Sequence, residues 1–99
     1  MLELKKAAFA GAEEAGDVLI KAEPGTGISI DLESNVKEIF GEAIEKTIRE
    51  ILEQFEIENV RITVRDKGAL DFVIRARLMC AICRSAEISY DWSGKYGKN

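Results

Sequence analysis

Val36, Ile39, Phe40, Ala43, Ile44, Thr47, Ile48, Ile51, Leu52 and Phe55 follow three-four spacing without a miss. That spacing lays one apolar stripe along an α-helix, whereas a strand would alternate every second residue. The pattern predicts an amphipathic helix of about 20 residues. Glu42 with Lys46 and Glu45 with Arg49 are favourably ordered i,i+4 pairs on its wet face, each adding a few tenths of a kcal/mol.

A helix with a single apolar stripe needs a second layer to cover it. Three alternating segments supply one: Val18, Ile20 and Ala22; Ile28, Ile30 and Leu32; Val60, Ile62 and Val64. Each reads as a strand. Pro24-Gly25-Thr26-Gly27 reads as a turn joining the first two in a hairpin. Ser34-Asn35 ends the second strand, and Ser34 reads as a helix cap. Asn35 with Glu38 has capping-box spacing. Asp66-Lys67-Gly68 reads as a turn.

Beyond that turn, Leu70, Val73, Ile74, Leu78, Ala81 and Ile82 hold helical spacing, which predicts a second helix. The alternative is that residues 69–78 pair back as a fourth strand. Phe72, Ala76, Met79 and Cys83 form a second apolar line on that helix. A helix apolar on two faces needs two burial surfaces. The second is either the domain's own interior or a partner subunit docked on those four residues. The expected fold is α+β: a small sheet of three strands, or four, with two helices packed on one face. Residues 1–99 form a single domain, with 1–15 an arm and 93–99 a tail, both read as mobile; Trp92 is the tail's one large anchor.

Ninety-nine residues fit one domain with one modest core. The net charge of −4 is unevenly spread. Residues 1–58 carry six Lys/Arg against fourteen Asp/Glu, and residues 59–99 carry eight against four. The acidic half argues against nucleic acid, because phosphate affinity comes from basic surface. No secretory leader and no long uncharged apolar window is visible, so no membrane partner is expected. The expected location is cytoplasmic, with both cysteines reduced.

The chain has no histidine. This removes Ser-His and Cys-His nucleophile pairs and most catalytic zinc sites, and no catalytic or metal-binding residue is assigned. Cys80-Ala-Ile-Cys83 has redox-dithiol spacing, but it lies inside an apolar helical run, and a zinc tetrahedron would need two more ligands. The pair reads as small hydrophobes of core or interface. Glu13, Glu14 and Asp17 flank Ala15 beside a turn-forming Gly16, and alone they mean little.

Taken together, several stretches resemble the citrate lyase acyl carrier protein (gamma chain) family. They are Ala8-Phe9-Ala10-Gly11, Glu14-Ala15-Gly16-Asp17-Val18, Phe40-Gly41 with Thr47-Ile48, and above all DKGALDFVIRARL, residues 66 to 78. The resemblance runs from about residue 8 to residue 92. It implies a non-catalytic subunit that carries an acyl group on phosphoribosyl-dephospho-coenzyme A, joined to a Ser through a phosphodiester and installed by a prosthetic-group transferase. It implies two partner subunits, an alpha subunit that exchanges acetyl for citryl and a beta subunit that cleaves the citryl group.

The family's attachment Ser precedes the Gly-Asp pair, and here that place is Ala15, flanked by Glu14, Gly16 and Asp17. An alanine methyl has no oxygen for a phosphodiester, so the group is expected to be absent from this chain. Ala15 is either a deliberate exchange that keeps the protein unmodified or a natural loss of loading. The preserved surroundings favour the first. Citrate and citramalate stay open as substrates. The rival reading is a small interaction module that docks through its last helix.

Overall fold

The computed structural model describes residues 2–91 and 95–98, with side chains as far as residue 89. The elements in chain order are β1 (Ala8–Gly11), β2 (Val18–Glu23), β3 (Ile28–Ser34), α1 (Lys37–Gln54), β4 (Val60–Asp66), α2 (Asp71–Ala86), β5 (Ile88–Asp91) and β6 (Lys95–Lys98). The first four strands form a mixed sheet in the order β1-β2-β4-β3, and β5 and β6 form a separate antiparallel pair. The α+β class holds. The fourth strand of the sheet is β1, while residues 71–86 are helical.

The predicted β2–β3 hairpin does not form. β4 lies between those strands, antiparallel to β2 and parallel to β3. The connection through Pro24-Gly25-Thr26-Gly27 steps across the start of β4. There the Val60 N–H donates to the Gly27 carbonyl at 2.9 Å and the Gly27 N–H donates to Asn59 Oδ1 at 3.0 Å. A Cβ on Gly25 would stand 3.0 Å from the Val60 carbonyl carbon, so a side chain at this crossing would have to push the start of β4 aside by a few tenths of an ångström. The turn signal was real, but the helix returning β4 parallel to β3 claimed the edge the hairpin would have used.

The inner face of the sheet carries Val18, Ile20, Ala22, Val60, Ile62 and Val64, all fully buried. Ile44, Ile48, Ile51 and Leu52 from α1 and Ile74, Leu78, Ala81 and Ile82 from α2 complete the core. Each buried Val, Ile or Leu of this set contributes about 1.5–3 kcal/mol, which outweighs the roughly 1 kcal/mol that a mid-helix glycine such as Gly41 costs. The opposite face of the sheet is mostly polar and uncovered by either helix: Lys21, Glu23, Arg61, Thr63 and Arg65 line it, with Leu19 and Phe9 among them.

The expected cap is absent. Val36 is the N-terminal flanking residue of α1, with no side-chain cap hydrogen bond. The Ser34 hydroxyl accepts from the Val36 N–H at 3.1 Å and donates to Asp66 Oδ2 at 2.7 Å, so Ser34 ties the end of β3 to β4. The capping box therefore does not form, because the helix begins one turn position too late for Asn35 to reach it. Trp92 lies outside the described residues, as do 93, 94 and 99 of the predicted tail.

Candidate functional site

The loop between β1 and β2 holds the position singled out in the sequence. The Asp17 N–H donates to the Glu14 carbonyl at 2.9 Å, which closes a four-residue turn. Gly16 has φ +81°, while Ala15 is not among the residues with positive φ. That combination is a type II turn with Ala15 at its first central position and glycine where the second requires it. Glu14, Ala15 and Gly16 are exposed. A Cβ on Gly16 would meet nothing within 4 Å, so that side of the apex faces open space.

Three brackets hold this apex. At its base the Ala12 N–H donates to the Val18 carbonyl at 3.1 Å. The approach is so close that a Cβ on Gly11 (φ +90°) would sit 1.8 Å from that oxygen. On one side the Gly16 N–H donates to the Lys67 carbonyl at 2.8 Å and the Lys67 N–H returns a bond to the Asp17 carbonyl at 3.0 Å. From the helix layer, Arg77 Nε and Nη2 donate to Asp17 Oδ1 and Oδ2, each at 3.1 Å. The Asp17 carboxylate also accepts from the Val18 N–H at 2.7 Å. The Arg77 fork, then the Val18 N–H, holds the Asp17 carboxyl below the usual carboxylate range, and Asp17 in turn raises the Arg77 guanidinium. Bidentate pairing fixes geometry as well as charge.

The stretch 66–78 proves to be the frame of this site. Asp66 is 1% exposed. Its Oδ1 accepts from the Ala69 N–H at 2.9 Å and its Oδ2 from the Ser34 hydroxyl. A residue read from sequence as part of a plain turn is thus a buried clamp that joins the ends of β3 and β4 to the start of α2. Asp71 accepts from the Thr47 hydroxyl at 2.6 Å and from Arg75 Nε at 2.6 Å, which ties the two helices together. The Thr47 hydroxyl, then Arg75, lowers the Asp71 carboxyl. Asp66 and Arg77 lie in the stretch that carried the resemblance, but their roles were not readable there, because each works through a partner 32 or 60 positions away.

The same end of the domain carries a groove of about 320 Å³ between the starts of α1 and α2, lined by Val36, Phe40, Ala43, Ala69, Leu70 and Ile74 among others. Phe40 and Leu70 of this lining are exposed, as are Ile39 on α1 and Phe72 on α2. Of the predicted docking line, Phe72 is 67% exposed, Ala76 and Met79 are half-buried, and Cys83 is buried in the domain's own core. Both cysteines are free. Burial, then the neighbouring Cys80, raises the Cys83 thiol, the reverse of a reactive cysteine. Among the described residues no cluster of three or more His, Cys, Asp or Glu could hold a metal, and no helix is long and apolar enough to cross a membrane.

Chemically this end displays one small side chain on a rigid turn beside an apolar groove. The methyl of Ala15 offers no oxygen that could carry a group through a phosphodiester. Residues 5–85 match the family profile described as ACP, malonate decarboxylase delta subunit (MdcD). The citrate lyase acyl carrier protein of Latilactobacillus sakei is 45% identical over 93 residues, covering 92% of each chain. That of Lactococcus lactis is 48% identical, covering 87% of this chain and 91% of the relative. That of Haemophilus ducreyi is 40% identical, covering 92% and 96%. A chain of a Pseudomonas malonate decarboxylase hetero-tetramer solved with malonate shares the fold, with TM-score 0.69 and 20% identity over 83% of this chain and 86% of that one.

Proposed function

We propose, from the premise that this chain belongs to the acyl carrier family of the citrate lyase carriers and the malonate decarboxylase delta subunit, that it is the carrier subunit of a citrate lyase, bare at its attachment position. A carrier of this family is a non-catalytic subunit. Its work is positional: a tethered thioester is presented at high local concentration to enzymes that act on it. The observation that supports the reading is the exposed apex at Ala15, held by three brackets; in this reading position 15 is where the family's attachment Ser stands.

The partners in this reading are the alpha and beta subunits of the lyase and the prosthetic-group transferase, in the cytoplasm. The family's group is phosphoribosyl-dephospho-coenzyme A. Ala15 offers no nucleophilic oxygen, so no step through that group is assigned to this chain as it stands. Phe72 is the exposed docking contact of this reading, with Leu70 also exposed two positions before it. Ala76 and Met79 lie farther along the same line, and Cys83 closes it from inside the core.

The malonate decarboxylase profile supplies a second reading, a carrier of malonyl thioester. Identities of 37–48% to citrate lyase carriers, against 20% to the malonate decarboxylase chain, favour citrate. Reconstitution decides between them. Ala15→Ser loaded with the prosthetic group is expected to restore citrate cleavage to carrier-depleted alpha and beta subunits, while the Ala15 chain restores none. Restored malonate decarboxylation without citrate cleavage would reverse the assignment. No activity from a demonstrably loaded carrier in either system would end both readings.

A further inference from the structure

The two edges of the main sheet are finished differently. β1 is four residues long, and Arg84 Nη1 covers it by donating to the Phe9 carbonyl at 2.7 Å. β3 is seven residues long and has no neighbour on its outer side among the described residues. The Val60 N–H bonds to Gly27 and the Asn35 N–H to Asp66, so the odd-numbered residues of this segment face β4. By the alternation of a parallel ladder, Ile28, Ile30 and Leu32 therefore turn their N–H and C=O groups outward. A long open edge of this kind is a template for another strand.

We infer that the outer edge of β3 takes an extended strand from a partner protein, with apolar side chains on the helix side and basic ones on the open side. The surroundings set that chemistry. On the helix side Ile30 and Leu32 are only half-buried, and a groove of about 280 Å³ runs beside them, lined by Lys37, Gly41, Glu42 and Glu45. Gly41 stands inside α1, where glycine costs about 1 kcal/mol. The nearest atom a Cβ there would meet is Lys37 Cγ, 3.1 Å away on a side chain free to turn aside. The domain's own packing does not ask for glycine at 41; a chain lying along this side of α1 would.

On the open side, Asp31 and Glu33 share one cation. Arg65 Nη2 is 3.6 Å from Asp31 Oδ2, and Arg65 Nε is 3.4 Å from Glu33 Oε2. Two exposed carboxylates on one guanidinium leave a negative charge for the next strand to meet, and opposite charges on adjacent strands are favourable. The same residues argue against a second copy of this chain. The antiparallel register that pairs all seven residues of β3 with themselves puts Asp31 against Asp31, and directly opposed like charges are destabilising. The occupant is therefore a foreign strand of alternating aliphatic and basic residues, bound by β-augmentation. This inference does not depend on what the turn at position 15 carries.

The test is NMR titration of the isotopically labelled full chain with the synthetic peptide acetyl-(Lys-Val)4-amide, beside acetyl-(Glu-Val)4-amide as the charge-reversed probe. The basic peptide is expected to shift the Ile28, Ile30 and Leu32 amides and slow their exchange, and to bind at least tenfold more tightly than the acidic one. The double variant Asp31→Lys/Glu33→Lys, checked for a native-like spectrum, is expected to reverse that preference. Unchanged β3 amides at millimolar basic peptide, equal binding of the two peptides, or self-association of the chain through β3 would each overturn the inference.

Discussion

Arg77 grips Asp17 with both prongs of its guanidinium, Nε to Oδ1 and Nη2 to Oδ2 at 3.1 Å, across 60 positions of sequence. One residue belongs to the middle of α2 and the other ends the turn that displays Ala15. The helix layer thereby sets the attitude of a loop on the sheet's far strand, and the Arg77 stem packs beside Gly11 at the loop's base, 3.2 Å from where a Cβ would stand.

Arg77→Lys keeps the charge and loses the fork. The Ala12, Gly16 and Val18 amides are expected to exchange a few-fold faster, while the melting temperature falls by only a few degrees, because the core is untouched. Exchange measured by NMR checks this. Unaltered loop exchange in the variant would show that the backbone brackets suffice alone.

The two glycines of the loop separate space from strain. Gly16→Ala places a left-handed alanine in open space and is expected to cost roughly 1–2 kcal/mol. Gly11→Ala adds a Cβ 1.8 Å from the Val18 carbonyl and is expected to cost more than 4 kcal/mol or to prevent folding, a size seen only where a substitution breaks structure. Denaturant unfolding of the two variants checks the order.

Glu56 sits left-handed, at φ 56°, where α1 ends. The Glu56 N–H bonds to the Glu53 carbonyl and the Ile57 N–H to the Leu52 carbonyl, the paired bonds of a Schellman motif. Glycine is free of strain in this conformation. Glu56→Gly is expected to stabilise the domain by about 1 kcal/mol, which raises the melting temperature by roughly 4–8 °C in a chain this size. Calorimetry checks it.

Asp71 provides the acid limb. Its carboxyl titrates lower in the folded chain than in the unfolded one, chiefly through the Thr47 hydroxyl and then through Arg75. The unfolded state therefore binds the proton more readily. The stability this group contributes is present above about pH 4 and is lost as pH falls through the folded value. In Thr47→Val the Asp71 carboxyl is expected to titrate higher, nearer the ordinary value, as read from its carboxyl carbon by NMR.

The long helix was legible because nine apolar residues and Thr47 obey one period, and its observed span, Lys37–Gln54, follows that stripe. β1 was not legible. Ala8 and Ala10 are its inward residues, too small to read as an apolar face, and Phe9 points outward at 51% exposure. The β5–β6 pair escaped for a related reason, since SYDWSGKYGKN is polar and glycine-containing. The site divides similarly. Position 15 stood out only through the family resemblance, since an exposed alanine carries no chemical signal. Its supports at Lys67, Asp66 and Arg77 come from segments that only the folded topology brings together.

The central claim is that the turn at Ala15 is the family's loading position and lacks only an oxygen. Intact-mass spectrometry after co-expression with the prosthetic-group transferase tests it directly, using the chain as it stands and Ala15→Ser. The account predicts no added mass on the first, and the full mass of the group on Ser at position 15 in the second. A modified Ala15 chain, or a serine variant that stays unloaded while an authentic citrate lyase carrier is loaded beside it, would contradict the account.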